Sequence, residues 1–506
     1  MGIGSRWGIL AAAAVALALP SALDSARAAV GPTGTGAAAT PFPGCAAPPA
    51  PAQPAAPVVG TVACQELTTH DLGNGIPAPF EYYVPAACTP INRVECPVLY
   101  LLHGFGGSYT EMLGTPGTTS SAWIQTLDHS PPAGFESAPW QYYDPRTWKQ
   151  APAINFILVA PLGQTLPGGY GPAAGLDSYW TDWNPRYALG GDEQRYATPP
   201  PEFEHYLTYE LPAFVESFLP AETGRAGRAI AGVSLGGYGA FKEGLLHPDL
   251  WSSTISVSGA HNFLFAPAPP PLPPGVSPPI PITYTRLPAP TGPVTGLPAP
   301  QQLGTFLTAL DALGDPVADQ AYFRGNMPTD LAGNGRAGIG IDSFVNDMVA
   351  RRSQDAGDTP FEVIVFPMNM DMQLAFDTSG VANTFAIHQG VHSDIYRNAW
   401  FRGLIQFALA HIQRPDPTPV SFDYRTIRTQ FSIWGWSFSG QRAAVEFLDL
   451  SNVNCDQVTM QGSGTWTVTP PASCHVHHTL SVDLGPSSPV DQPVPVFGRT
   501  VTVHIR

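Results

Sequence analysis

Three short stretches hold side chains that could together carry out acyl transfer. The first is Gly232-Val233-Ser234-Leu235-Gly236, which follows the apolar β-run Ala229–Val233 and precedes a segment with Tyr238, Phe241 and Leu245 at helical spacing. A G-x-S-x-G between strand and helix is a nucleophile elbow: its serine sits on a sharp, strained turn with the hydroxyl exposed at the start of the helix. Ser234 is therefore the candidate nucleophile. The second stretch is His103-Gly104-Phe105-Gly106-Gly107, a glycine-rich loop after the apolar run Pro97–Leu102. Backbone N–H groups in such a loop can approach a substrate oxygen closely, which makes the N–H groups of Phe105 and Leu235 the candidate oxyanion donors. His103 is read as structural, holding the loop. The third stretch, Ala386–Asp394, supplies His392 in a loop beyond the last strand, within reach of a serine at an elbow, so His392 is the candidate general base. His388 is its rival, but it follows an apolar run where a packed side chain is expected.

Nucleophile, acid, base is the chain order in this kind of site, so the orienting carboxylate should lie between Ser234 and His392. Asp330, Asp342, Glu362 and Asp371 all qualify by position. Asp330 has the most suitable surroundings, a loop just past the short strand read at Gln320–Arg324, whereas Glu362 falls inside the strand read at Phe361–Phe366. Periodicity does not choose among them. Tyr179-Trp180-Thr181-Asp182-Trp183-Asn184 offers aromatic rings and one carboxylate; Trp180, Asp182 and Trp183 either line a substrate cleft or fill core and surface.

The elements that must position these residues alternate. Pro97–Leu102, Phe156–Ala160, the elbow strand, Thr254–Val257 and Phe361–Phe366 read as strands. Pro201–Leu219, with Phe203, Tyr206, Leu207, Phe214, Val215 and Phe218 on one face and a kink at Pro212, reads as a helix, and so does Ile341–Arg351. The pattern predicts an α/β layer fold with a mostly parallel sheet. Proline-dense residues 267–300 interrupt it at the carboxyl end of a strand, where ligands bind in such sheets, so this insertion is either a flap over the acyl site or an exposed linker.

Composition bounds the setting. The 506 residues carry a net charge of −16 with only 12% charged side chains, which argues against nucleic acid or an anionic membrane as partner. Arg6, the apolar run Trp7–Leu19 and Ala26-Arg27-Ala28 read as an export leader ending at Ala28, followed by an Ala/Pro-rich linker over residues 29–57. The six cysteines fall into sequence-local pairs, Cys45 with Cys64, Cys88 with Cys96 and Cys455 with Cys474, as suits an oxidising compartment. After a short linker at residues 414–419, the last segment (420–506) shows period-two runs punctuated by turns and reads as a small β-sandwich. Trp434 and Trp436 share one face of it and are read as core in preference to a polymer-binding strip. The Cys474-His475-Val476-His477-His478 cluster lacks further spaced ligands, so no metal site is assigned, and the chemistry calls for no cofactor.

YLLHGFGG (Tyr100–Gly107), YWTDW (Tyr179–Trp183), ELPAF (Glu210–Phe214), GVSLGGYGAF (Gly232–Phe241) and GVHS (Gly390–Ser393) resemble the esterase-D-like branch of the α/β-hydrolases, most of all the secreted mycolyltransferases and their esterase relatives. The resemblance covers residues 58–413. It implies an α/β-hydrolase fold and a Ser-His-acid triad. AYFRGNMPTDLAGN (Ala321–Asn334) resembles the family's strand and following loop that carry a catalytic glutamate, which assigns the acid role to Asp330, with Glu362 next. Around the oxyanion loop the mycolyltransferases carry charged residues, where this chain has His103, Gly106 and Gly107, then Ser108, Tyr109 and Thr110; that departure favours hydrolysis over transfer. The expected function is a secreted or cell-envelope serine esterase acting on a lipid, acyl-sugar or polymer ester. The alternatives are an acyltransferase using the same acyl-enzyme and a non-catalytic surface-binding protein.

Overall fold

The computed structural model describes residues 45–46, 59–67, 78–85, 88, 95–105, 107, 112–114, 156–163, 178–184, 202–263, 265–266, 285–286, 312–314, 319–335, 339–346, 359–390, 407–408, 411–412, 417–475, 478–487 and 498–505. Nine strands form one mixed sheet: β1 (Cys45–Ala46), β2 (Val62–Leu67), β3 (Ala78–Tyr83), β4 (Val98–Leu102), β5 (Ile157–Pro161), β6 (Arg228–Val233), β7 (Ser253–Val257), β8 (Ile339–Asn346) and β9 (Asn383–Gly390). Their order is β1-β2-β3-β5-β4-β6-β7-β8-β9. From β5 to β9 every neighbour is parallel; β3 runs antiparallel to both β2 and β5. The carboxyl ends of the six parallel strands therefore share one edge, which is where Ser234 emerges.

The central strands are buried on both faces, as their unbroken apolar runs require. Alternate residues feed two layers. Val98, Tyr100 and Leu102 join Trp180, Phe203 and Val215 on one side, while Leu99 and Leu101 join Ala408 and Ile412 on the other. The first layer is covered by α1, which starts as Phe203–His205, passes through a π-helical turn at Tyr206–Glu210 and continues as Leu211–Phe218. Pro212 sits at the start of that last part, and its missing N–H removes one bond of the regular ladder. The widened π-helical turn ends just before that proline. Helix α2 (Leu235–Leu246) is buried along its whole length.

Three sequence expectations are corrected. Gln320–Arg324 is a helix, α3, and is followed by the short helix α4 (Pro328–Leu331). Of the segment expected to be helical over Ile341–Arg351, the described part, up to Asn346, belongs instead to strand β8, between β7 and β9. Phe361–Phe366 belongs to a long helix, α5 (Thr359–Thr378). A six-residue apolar run does not reveal its period; the buried positions Val365, Met368, Met372 and Phe376 do. Of residues 267–300 only 285–286 are described, and they pair antiparallel with 265–266.

The C-terminal segment forms two four-stranded antiparallel sheets. One has the order β10 (Phe422–Thr426), β13 (Leu448–Asn454), β14 (Gln457–Gly462) and β17 (Arg499–His504). The other has the order β11 (Gln430–Ile433), β12 (Trp436–Gln441), β15 (Thr465–Thr469) and β16 (Leu480–Asp483). Inner faces of both sheets meet in a core containing Tyr424, Leu450 and Met460 from one and Trp436, Phe438 and Trp466 from the other. Trp434 does not share the face of Trp436. It stands in the β11–β12 turn at φ 53°, next to Gly435 at φ 83°, the positive-φ pair of a tight hairpin. Its N–H donates to Asp249 Oδ2 (3.1 Å) and Arg225 lies over its ring (5.3 Å), both on the large unit. All three cysteine pairs form disulfides as expected.

Candidate active site

Ser234 links β6 to α2 with φ 55° and ψ −118°, a conformation that side chains adopt only when their surroundings enforce it. The enforcement is visible. The Ser234 N–H donates to Val257 O (2.8 Å), while its carbonyl accepts from Tyr238 N–H (3.1 Å) and Ala260 N–H (3.2 Å). The turn is therefore pinned to the end of β7 as well as to its own helix. A Cβ on Gly232 would lie 2.0 Å from Gly236 O, and one on Gly236 would lie 2.1 Å from Leu102 O and 2.6 Å from His103 O. Both glycines are thus required by close backbone approach. The second approach also places the carbonyls of Leu102 and His103, where the glycine-rich loop begins, against the first turn of α2.

Leu235 is the first residue of α2, so its N–H has no partner within the helix and is available to an anion at the elbow. Phe105 lies on the loop turn closed by Gly107 N–H to Gly104 O (3.0 Å), with its side chain exposed. His103 is fully buried. Its Nδ1 bonds Gly104 O (2.9 Å) and its Nε2 accepts from Gly163 N–H (2.9 Å), a pattern that needs the neutral ring protonated at Nδ1. Burial accordingly lowers its pKa to about 4, against a smaller upward pull from the Gly104 carbonyl. The ring ties the glycine-rich loop to the segment just past β5.

Trp180 and Trp183 are interior side chains. Trp180 stacks edge-on against His103 (5.0 Å), and its Nε1 donates to His103 O (3.3 Å). Trp183 Nε1 donates to Ser178 O (3.1 Å). Asp182 accepts from the N–H groups of Glu204 (2.8 Å) and His205 (3.2 Å), holding the open end of α1. These three residues form the wall behind the elbow and offer little surface to a ligand.

Asp330 does not follow a strand. It stands in α4, on the segment leading into β8, and its carboxylate receives Nε (3.0 and 3.1 Å) and Nη2 of Arg324. The neighbouring Leu331 and Ala332 pack with Leu245 and Leu246, at the far end of α2 from Ser234. Glu362 lies near the start of α5, which follows β8 and so begins on the serine's edge of the sheet. Farther along α5, Asn369 clamps the peptide of Gly259, accepting its N–H (3.2 Å) and donating to its carbonyl (2.9 Å), and Asp371 Oδ2 accepts from Asn262 (3.1 Å). His388 is within β9; His392, two residues beyond that strand, lies outside the described residues.

Sequence reasoning missed a buried charge cluster behind this wall. Lys242 Nζ donates to Glu204 Oε2 (2.8 Å), Glu243 Oε1 (2.5 Å) and Trp180 O (3.2 Å), and Arg428 of the C-terminal unit forks onto Glu204. Burial pushes Glu204 up, but Arg428 and Lys242 outweigh it and hold the carboxyl well below its usual range. Burial likewise raises Glu243 to about 7 and Asp182 to about 6. Glu204, Glu243 and His247 bring metal-ligand atom types within 4.8 Å of one another, yet Lys242 already takes an oxygen from each glutamate. The one available signal was a Lys-Glu pair inside an apolar helix of a charge-poor chain.

Residues 172–295, which include the elbow, match the family described as "Putative esterase". No curated protein matches the chain. Among solved structures, the chain is similar to a ferulic acid esterase (15% identity, 69% of this chain and 98% of that one, TM-score 0.41) and to an S-formylglutathione hydrolase from Agrobacterium tumefaciens (14%, 70% and 97%, TM-score 0.42). It is also similar to MPT51 from Mycobacterium tuberculosis (13%, 69% and 98%, TM-score 0.35). At such low identity and overlap these likenesses add nothing to the strand order and elbow already described. Among the described residues no helix is long and apolar enough to cross a membrane.

Proposed function

We propose that the protein is a secreted serine esterase of the α/β-hydrolase fold, with Ser234 as nucleophile, His392 as general base and the N–H groups of Phe105 and Leu235 as oxyanion donors. The observation that carries this reading is the strained, glycine-flanked Ser234 at the carboxyl edge of the sheet, with the start of the glycine-rich loop, Leu102 and His103, against the next turn of its helix. In the mechanism, His392 takes the Ser234 proton as Oγ attacks the ester carbonyl. The oxyanion is held by the two N–H groups, one of which is typically worth about 3 kcal/mol of barrier. His392 then protonates the leaving alcohol, and water releases the acyl-enzyme. The order of elements favours Glu362 over Asp330 as the carboxylate that orients His392, because α5 starts on the serine's edge and α4 lies before β8.

A fluorophosphonate label followed by peptide mapping, together with a p-nitrophenyl ester panel of varied acyl length, tests the reading. Label on Ser234 and hydrolysis abolished by Ser234→Ala are expected. An active, unlabelled Ser234→Ala protein would sink the proposal. Adding a sugar acceptor and comparing new ester with free acid separates hydrolysis from transfer.

A further inference from the structure

The C-terminal β-unit is tied to the wall behind the serine by a chain of directed contacts. From the segment between β10 and β11, Arg428 puts Nε on Glu204 Oε1 (3.1 Å) and Nη2 on Glu204 Oε2. Its Nη2 also donates to Asn326 Oδ1 (3.0 Å). From there two routes lead to the elbow. In one, Glu204 holds Lys242, Lys242 holds the Trp180 carbonyl (3.2 Å), and the Trp180 indole N–H holds the His103 carbonyl (3.3 Å), one residue from the oxyanion turn. In the other, the Asn326 carbonyl accepts from Tyr238 O–H (2.8 Å), one turn after Ser234. Trp180 packs directly on the backbone of α2: a Cβ on Gly239 would come within 2.6 Å of it. It is also held in a left-handed backbone conformation (φ 47°), the second such residue in succession after Tyr179 (φ 54°).

Resting on the esterase reading, we infer that Arg428 is a positioning residue for catalysis: the β-unit is a built-in brace that sets the oxyanion loop through Glu204, Lys242 and Trp180, not a detachable binding module. The physical basis is the guanidinium fork. Two parallel N–H donors on one carboxylate fix the direction of Glu204 as well as neutralising it, which an ammonium does not do. Glu204 in turn sets the position of Lys242, whose remaining donors reach Trp180 and Glu243. Oxyanion stabilisation depends on donor placement to a fraction of an ångström, so loosening the brace costs turnover before it costs ground-state binding.

The test uses the full chain carrying Arg428→Lys, which keeps the charge and removes the fork, and Arg428→Met. Turnover of p-nitrophenyl acetate and hydrogen exchange of peptides spanning His103–Gly107 are compared with the parent at a temperature where all are folded. Arg428→Lys is expected to lower kcat roughly tenfold with KM within about twofold, and to speed exchange in that loop but not in the Cys455–Cys474 hairpin. Parental kcat and loop exchange in either folded variant would overturn the inference. An unfolded Arg428→Lys protein would overturn it too, since Arg428 would then be a stability residue only. Should Ser234→Ala prove as active as the parent, the esterase reading falls, and loop exchange alone decides the coupling.

Discussion

Ser234 carries backbone strain where the chemistry is proposed, and the glycines beside it meet backbone too closely to take a side chain. Gly236→Ala would place a methyl 2.1 Å from Leu102 O, a contact with backbone that cannot swing aside. We expect that substitution to destabilise the fold by about 1–3 kcal/mol or more and to abolish labelling of Ser234, read by thermal melting and fluorophosphonate incorporation. A second residue makes a prediction independent of function. Glu81, on β3, is fully buried with no hydrogen-bond partner for either oxygen among the described residues, and burial raises its pKa from 4.5 to about 9. The folded state therefore holds a proton that the unfolded state releases above about pH 4.5. Stability should fall by about 1.4 kcal/mol per pH unit as pH rises from roughly 5 to 9, and level off once both states are ionised. Glu81→Gln should remove that slope, melting well above the parent at pH 8 and close to it at pH 4. A parent and variant with parallel stability curves across this range would mean that Glu81 ionises freely in the fold.

At the level of elements, the direction of the strands decides what can meet the serine. Helix α2 starts at the carboxyl edge and runs to the amino edge, and α4 packs against its far end. Asp330→Asn should accordingly lower the melting temperature, through loss of the Arg324 pair, while leaving kcat within a few-fold of the parent. Glu362→Gln should cut kcat by on the order of 10³–10⁴ with the fold intact. The reverse outcome in steady-state kinetics would restore Asp330 as the orienting acid. How far this was legible beforehand varies with the kind of signal. The strand–Ser234–helix turn, the buried strands Val98–Leu102 and Ile157–Pro161 and the disulfide pairs were readable, because glycine spacing, two-sided burial and cysteine separation are local. The exchange of β8 and α5 for helix and strand arose where it had to, in apolar runs too short to show a period. The setting read for Asp330, a loop just past a strand, changed with it, because that setting depended on reading Gln320–Arg324 as β. The Glu204–Lys242–Arg428 cluster was invisible because its members stand far apart in sequence and meet only through tertiary packing.

On the scale of the whole molecule, the two sequence-distinct units share a core instead of merely touching. Ile427 and Phe447 of the C-terminal unit pack in one apolar cluster with Phe241, Leu245, Leu331 and Phe376 of the large one. Tyr424 O–H donates to the Leu246 carbonyl (2.8 Å), the Asn334 side-chain amide accepts from the Arg425 N–H (2.6 Å) and donates to its carbonyl (2.9 Å), and Arg428 lies half-buried against Glu204. Ending the chain at Gln413 would expose the partners of three large side chains, each worth about 1.5–3 kcal/mol on burial, and would strand Glu204 with one cation fewer. The sum is comparable to the 5–15 kcal/mol or so that holds an ordinary domain together. The units are unequal in this respect, because residues 420–506 keep their own two-sheet core and the Cys455–Cys474 bridge without the large unit. Scanning calorimetry should therefore show one cooperative transition for the full chain, an aggregating or early-melting product for the form truncated at Gln413, and a folded β-unit for residues 420–506 expressed alone. Two separate transitions in the full chain, with the truncated form melting at the same temperature as its counterpart, would show that the shared cluster contributes little and that the β-unit is an independent appendage.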